Sequence, residues 1–316
     1  MNLTIIMAIA FIVSGAFLNA LPPQEQHVVL ELQGMSRKYL IHVPHSYKGE
    51  EIPLVLFLHG AGGNSEGAAK KYGWTRKADE ESFIVVFPEA TPLDLTKPSH
   101  FRTNPNVWNS GLPHVKKSVD DIAYLRKVIE DVSKRYKVDP RRVYMTGFSS
   151  GASMTFRAGI ELSDILTAIA PVSGHLMVEH PKPKRTMSMM LIVGDADPLN
   201  PIDGGPAKNP WTPHLVNKPP MIASVLDWLK LLNIAPTQKT VEKKGGVTFT
   251  RYGPNGKGQE VEYIVVAGQG HEWPGGERAL PEKLTGKEMN TLNATDTIWQ
   301  FFKRTVSALA KEGLHF

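Results

Sequence analysis

Arg142-Val143-Tyr144-Met145-Thr146-Gly147-Phe148-Ser149-Ser150-Gly151-Ala152 is the stretch from which the fold is read. Arg142 to Thr146 read as a short buried strand; after Gly151, the residues Ala152, Phe156, Gly159 and Ile160 recur at helical spacing. A strand, a tight turn holding a serine between glycines, and a helix give the pattern Gly-x-Ser-x-Gly a mechanical meaning. The turn is sharp enough to push the serine hydroxyl out at the top of a sheet, and only glycines let strand and helix approach so closely. Ser149 is therefore the candidate nucleophile.

The same pattern occurs a second time, as Gly63-Asn64-Ser65-Glu66-Gly67. A chain with 27 glycines produces such matches by chance. The strand Pro53 to Leu58 ends several residues before Gly63, so Ser65 lies in a glycine-rich loop without the elbow. It is set aside as a nucleophile.

Outward from the elbow, the chain alternates strands and helices. Pro53 to Leu58, Phe83 to Phe87, Ala168 to Val172 and Met189 to Val193 are short apolar runs closed by breakers, the pattern of strands buried on both faces. Ser118 and Asp121 form a capping pair ahead of the helical face Val119, Ile122, Leu125, Ile129 and Val132, which Asp139-Pro140 stops. Ile222 to Leu232 and Ile298 to Val306 are further helices, the second capped by Asn293 with Asp296. Thr240 to Val266 reads as strands broken by a turn at Gly253 to Gly256, and His27 to Gln33 with Lys38 to Val43 as a hairpin turning at Gly34-Met35-Ser36. Pro198 to Pro220 is rich in Pro, Gly and Asn around Trp211, too broken for a core element; it is expected to be an ordered loop over the site or a flap. The fold class is α/β: a mostly parallel central sheet with helices on both faces and an N-terminal antiparallel hairpin.

With 316 residues, 41% of them hydrophobic, the chain can bury a sizeable core as one domain. Its 36 basic and 31 acidic residues are scattered in short runs, which argues against a nucleic-acid partner. Ile5 to Ala16 is apolar and ends in Ser14-Gly15-Ala16, which with Leu18-Asn19-Ala20 supplies small-residue sites. This predicts a secretory signal over residues 1–22, one catalytic domain over 23–316, and a secreted or periplasmic protein. The run is short of the ~20 apolar residues of a spanning helix, so no stable membrane insertion is expected after cleavage. The absence of cysteine excludes disulfides and thiolate chemistry.

A serine hydroxyl needs a base to take its proton and an acid to orient that base. In α/β-hydrolases these follow in the order Ser, Asp or Glu, His, each on a loop after a strand. Asp195 and Asp197 both follow the strand ending at Val193, and His271 follows the one ending at Val266. Either aspartate could be a turn residue bonded to the local backbone. His175 also follows a strand but precedes both aspartates, which breaks the order. Two backbone N–H donors are needed for the oxyanion: Ser150 supplies one, and Ala61, in His59-Gly60-Ala61-Gly62-Gly63 after the Leu58 strand, supplies the other. His59 is given a packing role. No Gly-Lys-Ser/Thr follows this loop, so it is not a phosphate loop, and neither cofactor nor metal enters the reading.

The chain resembles the extracellular and periplasmic α/β-hydrolase esterases that include polyhydroxybutyrate depolymerases and feruloyl esterases. The resemblance rests on Ser118-Val119-Asp120-Asp121-Ile122 through Val138-Asp139-Pro140-Arg141-Arg142-Val143-Tyr144 into the elbow, on Asp197-Pro198-Leu199-Asn200-Pro201 with Gly204-Gly205, and on Gly270-His271-Glu272-Trp273-Pro274-Gly275-Gly276. Position by position it implies Ser149 as nucleophile, Asp197 rather than Asp195 as the orienting acid, and His271 as base. The chain departs from the family in Val193-Gly194, where His-Gly is frequent, and in lacking cysteines near the site. The implied activity is hydrolysis of a small-molecule or polymeric ester through an acyl-enzyme, on feruloyl-type or carbohydrate-linked esters first and hydroxyalkanoate esters second. An acyltransferase would use the same triad with an acceptor other than water. Trp108, Trp211 and Trp273 fall in loops near the inferred site and are candidate substrate-stacking residues.

Overall fold

The computed structural model describes residues 25–111, 118–278 and 280–311, so the leader expected over 1–22 lies outside the described residues. In chain order the elements are β1 (Glu25–Leu32), β2 (Met35–His42), β3 (Ile52–Leu58), α1 (Ser65–Lys71), α2 (Trp74–Glu81), β4 (Ile84–Pro88), β5 (Thr91–Pro92) and β6 (Asn106–Val107). There follow α3 (Asp121–Arg135), β7 (Val138–Phe148), α4 (Ser150–Glu161), β8 (Ala168–Val172), β9 (Ser188–Gly194), β10 (Gly205–Asn209), β11 (Thr212–Lys218) and α5 (Met221–Leu232). The chain closes with β12 (Lys239–Lys244), β13 (Val247–Tyr252), β14 (Val261–Val266), α6 (Glu282–Thr285) and α7 (Ala294–Lys311).

Ten strands form one sheet in the order β1-β2-β4-β3-β7-β8-β9-β14-β13-β12. The six from β4 to β14 run parallel, and an antiparallel pair extends each edge. Strand side chains alternate between two cores. Leu54, Leu56 and Leu58 of β3 with Val143 and Met145 of β7 pack under α3, α4 and α5, through residues such as Tyr124, Val128, Phe156 and Leu229. Val55, Phe57 and Tyr144 face the other way, against Ala68, Trp74, Ala78, Ile298 and Phe302 of α1, α2 and α7. A parallel sheet covered on both faces in this manner is the doubly wound arrangement, and its ligand site falls at the carboxyl ends of its strands. Among the described residues no helix is long and apolar enough to cross a membrane.

Three local expectations change. The N-cap of α3 is Asp120, whose carboxylate accepts the Ala123 N–H at 2.9 Å, because Asp121 is buried and committed to Arg37 at 2.8 Å and to the Asn109 N–H at 2.7 Å. The first hairpin turns at Gln33-Gly34, both at positive φ, one residue earlier than the glycine-first reading. Pro198 to Pro220 is not loop throughout: β10 and β11 pair as a separate antiparallel ribbon with an irregularity between Ala207 and Asn209. Among the described residues these strands pair only with each other, and they lack the apolar run that marks a sheet member.

At the elbow the backbones of strand and helix meet directly. A Cβ at Gly151 would lie 2.1 Å from the Leu58 carbonyl oxygen, and one at Gly147 would lie 2.6 Å from that of Gly151. Both obstacles are backbone and cannot rotate away. Gly151→Ala should therefore cost at least the roughly 1–3 kcal/mol of an overpacked core and lower Tm by several degrees. Gly256→Ala, where a Cβ meets nothing within 4 Å, should leave Tm within about a degree. Calorimetric scans of the two variants check this; equal melting points would contradict it.

Candidate active site

Because β3, β7, β9 and β14 are parallel, the loops that follow them meet at one end of the sheet. Ser149 directly follows β7 with φ 57° and ψ −115°, and its N–H donates to the Val172 carbonyl at 3.0 Å. A non-glycine residue held there costs on the order of 1–3 kcal/mol, a strain that packing around the turn must offset. The serine hydroxyl donates to Nε2 of His271 at 2.8 Å. On the far side of the ring, Nδ1–H donates to Oδ2 of Asp197 at 2.7 Å, which fixes the tautomer, since a carboxylate only accepts. The other Asp197 oxygen accepts the N–H groups of Leu199 and Asn200, each at 2.8 Å. With both oxygens engaged and the side chain buried, the carboxylate has one orientation.

Asp195, exposed on the same loop, instead accepts the Gly268 N–H at 2.6 Å and ties the acid loop to the histidine loop. Ser65 begins α1, is 1% exposed, and donates its hydroxyl to Glu89 at 3.0 Å, which is a structural use.

The loop after β3 is held from below. Nε2 of His59 accepts the Ala90 N–H at 3.1 Å, and Nδ1–H donates to the Gly60 carbonyl at 2.7 Å, so the imidazole is spent on the backbone. The Gly62 N–H donates to Asn106 O at 2.7 Å, and the Asn106 side-chain amide donates to Gly63 O at 3.1 Å. Ala61 and Ser150 both line the cavity at Ser149. That cavity encloses about 470 Å³ and is walled by the β3 loop, by Phe101 and Leu93, and by the β10–β11 ribbon.

Of the three tryptophans expected to stack on substrate, only Trp211 lines the cavity. Its indole N–H donates to the Phe101 carbonyl at 2.6 Å with the rings edge-to-face, so the ribbon's tip is hooked over the mouth. Trp108 is wholly buried beneath the β3 loop, donating to His59 O at 2.9 Å. Trp273 is buried among Phe57, Tyr72 and Phe148, donating to Thr295 at 3.1 Å. A buried indole N–H requires an acceptor, and both found theirs inside the protein rather than at the cavity.

Several residues of the site were given no role by the sequence reading. Gln269, fully buried, accepts the Met289 N–H at 2.8 Å and donates to Glu272 O at 3.2 Å, setting the path of the histidine loop. Asn200 donates to the Ser173 carbonyl at 2.7 Å and accepts the Lys218 ammonium. His175 is buried in the cavity wall with Nε2–H on the Pro219 carbonyl at 3.1 Å. Asn200 stood in the motif following Asp197 and His175 at a strand end, while Gln269 had no such signal. Among the described residues no group of three or more His, Cys, Asp or Glu side chains is arranged to hold a metal.

Fold and strand-end site together define an α/β-hydrolase. Residues 43–218 match the Phospholipase/Carboxylesterase family of these hydrolases, and the chain belongs to that family. The match takes in Ser149 and Asp197 and stops short of His271. The chain is 28% identical over 287 residues to NocK of Nocardia uniformis subsp. tsuyamanensis, named as an assumed esterase, covering 85% of this chain and 79% of that one. It is 26% identical to feruloyl esterase B of Piromyces equi over 54% of this chain, but spans only 31% of that enzyme's length. Among solved structures, an acetyl xylan esterase from Aspergillus awamori superposes with a TM-score of 0.60 at 14% identity, over 88% of this chain and 98% of that one, which speaks to fold alone.

Burial pushes the His175 imidazole down from 6.5 to about 4, with the Lys218 charge adding to the effect. Between those values the unfolded chain binds a proton that the native state refuses. This part of the stability is therefore intact above about pH 6.5 and is lost as pH falls toward about 4. At about pH 5 the loss is on the order of 2 kcal/mol. His175→Gln should reduce the drop in urea midpoint between about pH 7 and about pH 5; an unchanged drop would show that His175 does not carry it.

Proposed function

We propose that the protein is a serine carboxylic-ester hydrolase working through an acyl-enzyme, with residues 23–316 as a single catalytic domain exported behind the leader. The observation that carries this reading is the ring of His271, bonded to Asp197 at 2.7 Å and to Ser149 at 2.8 Å at the floor of a cavity. His271 accepts the Ser149 proton as the oxygen attacks the ester carbonyl, and Asp197 stabilises the imidazolium that forms. The N–H groups of Ala61 and Ser150 receive the oxyanion; Ser150, first residue of α4, has one of the N–H groups a helix start leaves unbonded. His271 then protonates the leaving alcohol, and water, activated by the same ring, releases the acid and regenerates Ser149.

Feruloyl-type or carbohydrate-linked esters are the first substrate class. The name of one similar protein, a feruloyl esterase, supports this class, as does an aromatic cavity mouth formed by Trp211 and Phe101. Hydroxyalkanoate esters are the second class, favoured by the apolar Leu93 and Leu280 that line the same cavity.

Rates on methyl ferulate, p-nitrophenyl acetate and p-nitrophenyl butyrate, with wild type and Ser149→Ala, test both levels of the reading. The substitution should lower kcat by roughly 10⁴ to 10⁶ on every ester that the wild type cleaves. Near-full activity of Ser149→Ala would end the mechanism. Cleavage of only the short p-nitrophenyl esters would keep it and move the substrate away from aromatic acids.

A further inference from the structure

The cavity that opens on Ser149 and His271 has an excess of positive charge on its wall. Lys71, Lys208 and Lys218 all line it, and among the described residues none of the three has a carboxylate within ion-pairing range. The acidic lining residue, Glu272, is by contrast occupied: it accepts the Thr285 hydroxyl at 2.8 Å and lies 3.7 Å from the Arg278 guanidinium.

Lys218 is the most constrained of the three. It ends β11, and its ammonium donates to the side-chain oxygen of Asn200. Asn200 cannot follow it outward, because its own amide is held by Ser173 O at 2.7 Å and its backbone N–H by Asp197 at 2.8 Å. One acceptor satisfies only one of an ammonium's three N–H groups. Burial pulls the Lys218 pKa down, and the charge that opposes this is that of Asp197, already committed to His271 and two amides. The neighbouring groups do not supply an anion. His175 is neutral and directs its N–H at Pro219 O, while the Ser150 hydroxyl, in the same cavity wall, is buried without a hydrogen-bond partner. Donors thus outnumber acceptors on this part of the cavity wall, and the half-buried ammonium there is stabilised by an arriving anion.

We infer that Lys218 is a specificity residue that pairs with a carboxylate on the substrate, so that the enzyme prefers esters carrying a free carboxylate near the scissile bond. This rests on the esterase reading above. The Lys218 ammonium, with N–H groups left over from Asn200, is a donor suited to a carboxylate oxygen. Lys71 and the exposed Lys208 add an attractive field at the approach to the site, which favours encounter with anions.

The test compares kcat/KM within two matched pairs. p-Nitrophenyl hydrogen glutarate against p-nitrophenyl butyrate places the carboxylate on the acyl side; 3-acetoxypropanoate against its methyl ester places it on the alcohol side. Wild type should favour the anionic member of one pair, and the pair that responds identifies the side. Lys218→Met and Lys218→Gln should each lower that anionic-to-neutral ratio by about tenfold or more, the scale of one charge-assisted hydrogen bond. Lys218→Arg should retain part of it, and glutamine, which keeps a donor for Asn200, separates charge from packing. A ratio unchanged by these substitutions, or no anionic preference in either pair, would overturn the assignment. If wild type cleaves none of the four esters, the esterase reading fails alone, and calorimetric titration with glutarate decides the subsite. Binding weakened about tenfold by Lys218→Gln would keep it, whereas absent or unaltered binding would end it.

Discussion

The backbone of Ser149 is held at positive φ between a buried strand and a helix that starts at the next residue, and the rest of the site is built around that turn. The conformation is unfavourable in itself, so it persists only because neighbours on every side leave no alternative. The Ser149 N–H is fixed on the strand of Val172, and Gly151 brings the helix start against the backbone of β3. Through Gly151 the elbow is in direct contact with the loop that carries Ala61. Positioning of the proposed nucleophile and of the proposed oxyanion donors is therefore one packing problem rather than two.

The same economy governs the other two loops. Asp195 and Asp197 stand two residues apart after β9 and do different work: the exposed one bonds the Gly268 backbone, and the buried one bonds the His271 ring. Tying the loops together through Asp195 sets the distance across which Asp197 meets the imidazole. Gln269 fixes the histidine loop from beneath, and Glu272, immediately after His271, is anchored on Thr285 and Arg278. A hydrogen bond in this setting is worth little as net stability, but each removes a rotamer or loop path that would misplace the ring.

The fold was legible because its signals are local. Apolar runs of five or six residues closed by breakers, and a serine between glycines where β7 turns into α4, are properties of contiguous sequence. Chain order likewise pointed to His271 and to the pair Asp195 and Asp197, but not to which aspartate meets the ring. Both are polar turn residues, and the difference between them is a side-chain direction across two loops. Two of the three tryptophans turn away from the cavity for a related reason. Trp108 and Trp273 sit in loops beside the site, yet whether an indole faces a cavity or a core depends on where its N–H finds an acceptor, and His59 O and Thr295 are distant in sequence. The β10–β11 ribbon escaped notice because Gly, Pro and Asn obscure its strand pattern, and with it Lys218 remained one basic residue among 36.

Ser149 is the point on which the functional account turns, and covalent labelling examines it without assuming a substrate. The protein would be treated with a p-nitrophenyl alkylphosphonate, release of p-nitrophenol followed, and the adduct located by peptide mass spectrometry. The account predicts release equal to the enzyme present and one adduct, on Ser149, with labelling slowed by several orders of magnitude in His271→Ala. An adduct on Ser65 or another residue, or labelling indifferent to His271, would contradict it.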